Sequence, residues 1–185
     1  IANRFPEQIA FRDKRFGIWN EMSYKDFWMD VQYVGCALNY FGIQKTEKVA
    51  IHSENRPEWL IADIGVQAIG GITVGLYPTN PPAEVQYLLS HSESKILFAE
   101  DQEQVDKALE VLDEVPNLSK IIYFEEKGLF RYDSEKLMRW DEFLEIGKEE
   151  YEKNKDFVNF CIDEIKSEDV APVSYTHLTL PTTVF

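Results

Sequence analysis

Lys48-Val49-Ala50-Ile51-His52-Ser53-Glu54-Asn55-Arg56-Pro57-Glu58-Trp59 is the stretch that decides the fold. Residues 48–52 are a brief, largely apolar run, which predicts a buried strand. Pro57 suits the first turn of a helix, where its missing N–H would have no intrahelical partner, and that helix should run to about residue 69. Trp59, Leu60, Ile61, Ala62, Ile64, Val66 and Ile69 go most of the way round it. Such a helix is expected to be covered on most faces, with Trp59 and Val66 buried. Residues 71–77 then read as a β-branched strand ended by Pro78. A strand, a helix and a strand over short connections imply parallel pairing through a right-handed crossover.

The same alternation extends outward. Upstream, residues 9–13 and 18–22 read as two short strands around the turn Lys14-Arg15-Phe16-Gly17. Ser23 is a good N-cap, and Phe27, Val31, Val34, Leu38 and Phe41 recur at helical spacing before Gly42 supplies a left-handed stop. Downstream, Pro81-Pro82 leads into a helix over 83–91, and residues 95–99 form the next strand. Asp101 can cap a helix with the inner stripe Val105, Leu109, Leu112 and Val115, and 119–124 gives another strand. Beyond residue 125 the pattern loosens into helices near 140–153 and 155–165. The class is α/β, a mostly parallel sheet flanked by helices.

Composition narrows the partners. The chain has 185 residues, 44% of them hydrophobic, and 19 basic against 33 acidic side chains give a net charge of −14. Overall that charge opposes a phosphate backbone or an anionic lipid surface, so nucleic acid is not an expected partner. No apolar run approaches the roughly 20 residues of a transmembrane segment, and the first residues lack the order of a signal peptide. Cys36 and Cys161 have no framework spacing, which suits a reducing, cytoplasmic setting, and both read as buried small apolar residues.

Catalytic motifs are missing. His52 closes a strand before Ser53, Glu54 and Asn55, and reads either as a general base or as a solvated or hydrogen-bonded loop residue, the second being favoured. His91 suits a helix C-terminus, and neither histidine has metal-ligand spacing to a cysteine. Gly65 and Gly70 have the outer spacing of a Walker loop without the following Lys-Ser/Thr, and residues 70–75 are not Gly-x-Gly-x-x-Gly. Helix-to-strand packing explains these glycines better. There is no Gly-x-Ser-x-Gly elbow, and after Gly147 there is no glycine for a phosphate cradle. No catalytic, cofactor-binding or metal-ligating residue is therefore assigned.

The last residues differ in kind. From Val173 to Phe185 no side chain is charged. Residues 173–182, Val-Ser-Tyr-Thr-His-Leu-Thr-Leu-Pro-Thr, are what GTC TCT TAT ACA CAT CTG ACG CTG CCG ACG encodes, a string that resembles a sequencing-library adapter. The division expected is 1–171 as native domain and 172–185 as a non-native tail, to be left out of fold reasoning together with His177. With Ile1 in place of Met, the reading frame is expected to be cut at both ends.

The opening stretch also carries a resemblance. Together with Gly70-Gly71-Ile72-Thr73-Val74-Gly75-Leu76-Tyr77-Pro78-Thr79 and Ala83-Glu84-Val85-Gln86-Tyr87-Leu88-Leu89, it resembles the N-terminal region of AMP-forming long-chain acyl-CoA synthetases, of the adenylate-forming superfamily. Trp19-Asn20-Glu21-Met22-Ser23-Tyr24 and Ser94-Lys95-Ile96-Leu97-Phe98-Ala99-Glu100 are similar to the flanking blocks, so the resemblance spans 5–171. It implies a parent that uses ATP and Mg²⁺ to turn a fatty acid into an acyl-adenylate, then passes the acyl group to coenzyme A. It also implies a cytoplasmic parent, with peripheral membrane association left open. The family's Ser/Thr/Gly phosphate loop follows a segment similar to Asp169-Val170-Ala171, where the uncharged tail begins, and Tyr175-Thr176 echoes only its start. The fragment is accordingly expected to be inactive and to bind none of these cofactors. Asn55, Arg56, Pro57, Glu58 and Trp59 match as a signature, favouring a structural role in starting a helix. A non-enzymatic α/β interaction module and an adenylating enzyme for another carboxylic acid are the alternatives.

Overall fold

The structure, a computed structural model, describes residues 1–174. Strands β1 (Ile9–Arg15) and β2 (Ile18–Ser23) form an antiparallel hairpin that is a sheet of its own. They are longer than the sequence suggests because the turn is only Phe16-Gly17. Ser23 then caps α1 (Tyr24–Tyr40), its Oγ accepting from the Asp26 N–H at 3.1 Å. Gly42 follows with φ of 81°, the left-handed stop its position implied.

The main sheet contains β3 (Lys48–His52), β4 (Ile72–Leu76), β5 (Ile96–Ala99), β6 (Lys120–Tyr123), β7 (Leu137–Arg139) and β8 (Val173–Ser174). Their order is β7-β6-β5-β3-β4-β8, and every neighbouring pair is parallel. Helices α2 (Pro57–Ala68), α3 (Pro82–Ser92) and α4 (Gln102–Glu110) make the crossovers, and α5 (Trp140–Lys153) and α6 (Phe157–Asp163) follow β7.

Side chains alternate across each strand, so two cores form on opposite faces. Val49, Ile51, Ile96, Phe98 and Ile122 pack with α1, α2, α5 and α6. Ala50, Val74, Leu76, Leu97 and Ile121 pack with α3 and α4. The chain steps from β3 to β4 under α2, then returns past β3 to β5 under α3. A return in the opposite direction puts the right-handed crossover on the other face, which explains the split. The α/β reading is thus correct.

Several local expectations are corrected. Trp59 is only half-buried and Leu60 is 40% exposed, so α2 is open on one side, whereas Val66 is fully buried. α4 stops at Glu110 and gives way to a 3-10 turn over Leu112–Glu114, leaving Leu109 and Leu112 half-buried. β7 carries no period long enough to be read from sequence, and α6 is shorter than expected. Cys36 is buried but Cys161 only half-buried, and both are free. Burial pushes the Cys36 thiol up to about 11, with Cys161 and Glu150 adding to it, and burial also raises that of Cys161. Gly65 serves helix-to-helix packing, against Val34 of α1.

The start of the tail also differs from expectation. Val173 and Ser174, set aside with everything after Ala171, pair in register with Val74 and Gly75. Tyr175, Thr176 and His177 lie outside the described residues, as does the rest of the tail.

Candidate functional site

In a doubly wound sheet, ligands bind outside the carboxyl ends of the strands, where the strand order reverses. Here the reversal is at β3, between β4 on one side and β5 on the other. The loops at that edge are residues 53–56 after β3, 77–81 after β4 and 100–101 after β5.

Between β3 and β5 the crevice is filled from within. The Glu54 N–H donates to Glu100 Oε2 at 2.6 Å, and Ser53 Oγ donates to the Glu54 carbonyl at 2.9 Å. Arg56, its side chain 11% exposed, reaches Glu58 at 2.8 Å, Glu125 at 2.7 Å and Glu100 at 3.6 Å. Burial lowers the pKa of this guanidinium, but the hydrogen bonds that Arg56 donates to Glu58 and Glu125 outweigh that and raise it. Three carboxylates around one cation leave the crevice negative, and a phosphate would be repelled.

On the other side of β3 the edge is open. A cleft of about 440 Å³ lies over the ends of β3, β4 and β8. Thr73 and Gly75 form its floor, Ser53, Asn55 and Trp59 one wall, and Pro172 and Val173 the other. Thr73 is fully buried with no hydrogen-bond partner for its Oγ1. A Cβ on Gly75 would meet nothing within 4 Å, so the floor has room to spare. The cleft is therefore mostly apolar, with Ser53, Glu54 and Asn55 among its lining and the buried, unpartnered Thr73 hydroxyl under its floor.

His52 points the other way, into the core under α3 and α4. It is fully buried, and its pKa falls to about 4 because burial and the nearby Lys107 cation both disfavour the imidazolium. The Tyr77 and Pro78 carbonyls lie close enough to pull the other way, yet neither ring nitrogen makes a well-formed hydrogen bond. Lys107 instead donates to the Pro78 carbonyl at 2.8 Å and to Glu103 at 2.7 Å. His52 is thus neither the general base nor the solvated loop residue considered from sequence. His91 sits in the last turn of α3 and stacks on Tyr87.

The signature residues divide by role. Pro57 starts α2 as expected, and Arg56 and Glu58 close the crevice, while Asn55 and Trp59 line the cleft. Their place just after β3 in a strand-helix-strand unit is the sequence signal that could have marked them. Among the described residues no group of three or more His, Cys, Asp or Glu side chains is arranged to hold a metal ion. No glycine-rich phosphate cradle is present among them either, so no step through Mg²⁺ or ATP is assigned to these side chains. No helix among them is long and apolar enough to cross a membrane.

Comparison with known proteins gives these features a setting. The family model described as AMP-binding enzyme matches residues 1–176. A long-chain-fatty-acid–CoA ligase of Xenopus laevis is 31% identical over 148 residues, covering 80% of this chain and 20% of that protein. One from Bos taurus is 27% identical over 156 residues, covering 84% of this chain and 21% of its own length. The chain thus spans about a fifth of the length of these curated relatives. The crystal structure of coronafacic acid ligase from Pectobacterium brasiliense superposes with a TM-score of 0.74 at 18% identity, over 95% of this chain and 32% of that one. That likeness is one of fold.

Proposed function

Since the chain belongs to the AMP-binding enzyme family, we propose that residues 1–171 are the N-terminal part of an AMP-forming long-chain acyl-CoA ligase and that 172–185 replace its native continuation. The parent joins a fatty-acid carboxylate to the α-phosphorus of ATP, releases pyrophosphate, and transfers the acyl group from the adenylate to the thiol of coenzyme A. Such chemistry depends on positioning and on neutralising phosphate charge, with Mg²⁺ supplying part of the latter. This segment supplies the scaffold of the site: a parallel sheet whose β3–β4–β8 edge is open and whose β3–β5 crevice is closed by Glu100 and Arg56.

The observation that carries the reading is the cleft over β3, β4 and β8. Its lining from residues 1–171 includes Ser53, Asn55, Trp59, Thr73 and Gly75, and its far wall, Pro172–Val173, belongs to the tail in whose place the native continuation would close it. The two relatives named as long-chain-fatty-acid–CoA ligases support a long-chain substrate. The test is ATP–pyrophosphate exchange. The chain as it stands should give none with any fatty acid, and the chain rejoined to its genomic continuation after Ala171 should give exchange that depends on a long-chain acid. Exchange with short or aromatic acids alone would replace the substrate class, and its absence from the rejoined protein would remove the ligase assignment.

A further inference from the structure

Residues 53–56 join β3 to α2, and three of the four are bound to one side chain. Glu100, just after β5, accepts from the Glu54 N–H at 2.6 Å and from Ser53 Oγ at 3.2 Å, and its other oxygen lies 3.6 Å from the Arg56 guanidinium. Arg56 is fixed in turn by Glu58 at 2.8 Å and Glu125 at 2.7 Å, with its guanidinium carbon 5.3 Å from the Phe124 ring centroid. Asn55 is the fourth residue. It is exposed, and its side-chain amide has no hydrogen-bond partner among the described residues. A loop held on both sides of one free amide has little conformational freedom left to lose when that amide binds something.

Asn55 stands in the wall of the 440 Å³ cleft. Thr73, under the floor of that cleft, is fully buried and its Oγ1 has no partner, so a second polar group there is left unused by the fold. A mostly apolar cleft with a few placed polar groups is the pattern of a ligand site. The charge around Asn55 restricts what it can meet. Glu54, Glu58, Glu100 and Glu125 outnumber Arg56 and Lys14, so a carboxylate or phosphate oxygen is disfavoured beside it. A neutral carbonyl oxygen carries no such penalty, and an amide N–H can donate to it.

We propose that Asn55 donates a hydrogen bond to the carbonyl oxygen of an acyl group seated in the cleft, once the carboxylate charge has been removed, and that Glu100 and Arg56 are the residues that position it. Glu100 acts by holding the backbone before Asn55, and Arg56 by holding the backbone after it. The inference rests on the ligase reading, because it takes the cleft to hold an acyl group.

The test is a fluorescence titration of the chain rejoined to its continuation after Ala171, with Trp59 in the cleft wall as a reporter. The two probes are octanoyl-N-acetylcysteamine, a neutral thioester, and S-octyl-N-acetylcysteamine, the thioether that lacks the acyl carbonyl. The unchanged protein should bind the thioester about fivefold more tightly, and Asn55→Ala should abolish that preference while leaving thioether binding as it was. Glu100→Ala should weaken thioester binding too, and Glu100→Gln, which keeps an acceptor for the Glu54 N–H, should restore most of it. Combining Asn55→Ala with Glu100→Ala should cost no more than Asn55→Ala alone, because both remove one contact. Circular dichroism checks that each variant is folded. No preference in the unchanged protein, or a preference that survives Asn55→Ala, would overturn the proposal. Additive losses in the double variant would overturn the positioning role of Glu100. ATP–pyrophosphate exchange in the same preparation separates the two readings: exchange without the probe preference removes this proposal alone, and the preference without exchange removes the ligase assignment.

Discussion

Gly65 of α2 lies so close to Val34 of α1 that a Cβ on Gly65 would sit 2.4 Å from Val34 Cγ1 and 2.7 Å from its Cβ. A β-branched side chain near its own backbone cannot swing aside, so the helices would have to separate. Gly65→Ala should lower stability by about 2 kcal/mol. Gly147→Ala should be worse, because the added atom would lie 2.0 Å from the Tyr33 carbonyl oxygen, which is backbone. Urea midpoints of the two variants check the ranking.

His52 makes stability depend on pH. Its folded pKa of about 4 lies below the ordinary 6.5, so the unfolded chain takes the proton first. Its contribution is complete above pH 6.5 and is lost as pH falls toward 4, a decline of about 3 kcal/mol at most. His52→Leu should flatten this part of the profile. An unchanged slope in the variant would show that the imidazole is already charged or solvated.

Asp30 works in the opposite sense. Burial, with Asp26 adding, raises its carboxyl from 3.8 to about 6. The folded chain therefore binds the extra proton, and the penalty of the buried carboxylate grows as pH rises through 6. Asp30→Asn should stabilise the chain at pH 7 by about 1 kcal/mol once solvent screening is allowed for. It should also steepen the loss between pH 6.5 and 4, by removing the group that masks His52. Paired urea titrations at pH 7 and 5 separate the two.

Thr73 tests whether the cleft rests on an unsatisfied polar group. Its buried hydroxyl has no partner, and such a group costs about 1 kcal/mol or more. Thr73→Val keeps the shape and should raise the thermal midpoint of the isolated chain. A fall in the midpoint would show that the hydroxyl is satisfied within the fold.

Local signals carried much of this architecture. Ser23, Pro57 and Asp101 mark helix starts through backbone chemistry that acts within a few residues, and α1 shows its period plainly. The site was less legible because it is made by distance. Glu100 meets Glu54 across 46 positions, and the cleft joins Trp59 to Val173, relationships that no local period encodes. Helical period places Trp59 in the core because it counts apolar residues, not what stands opposite them. The same holds for His52: the polar residues after it are those of a loop, whereas its place at the end of β3 turns the ring inward.

The central claim, that a ligase segment ends at Ala171, is tested most directly by reading the source DNA through that codon. The frame should continue into a short apolar strand and a Tyr-Thr-Ser-Gly-type loop, whose glycines let backbone amides approach the phosphates of ATP. A native locus that encodes Val-Ser-Tyr-Thr-His-Leu-Thr-Leu-Pro-Thr and then stops would contradict it, and would leave a small α/β module with β8 as its own edge strand.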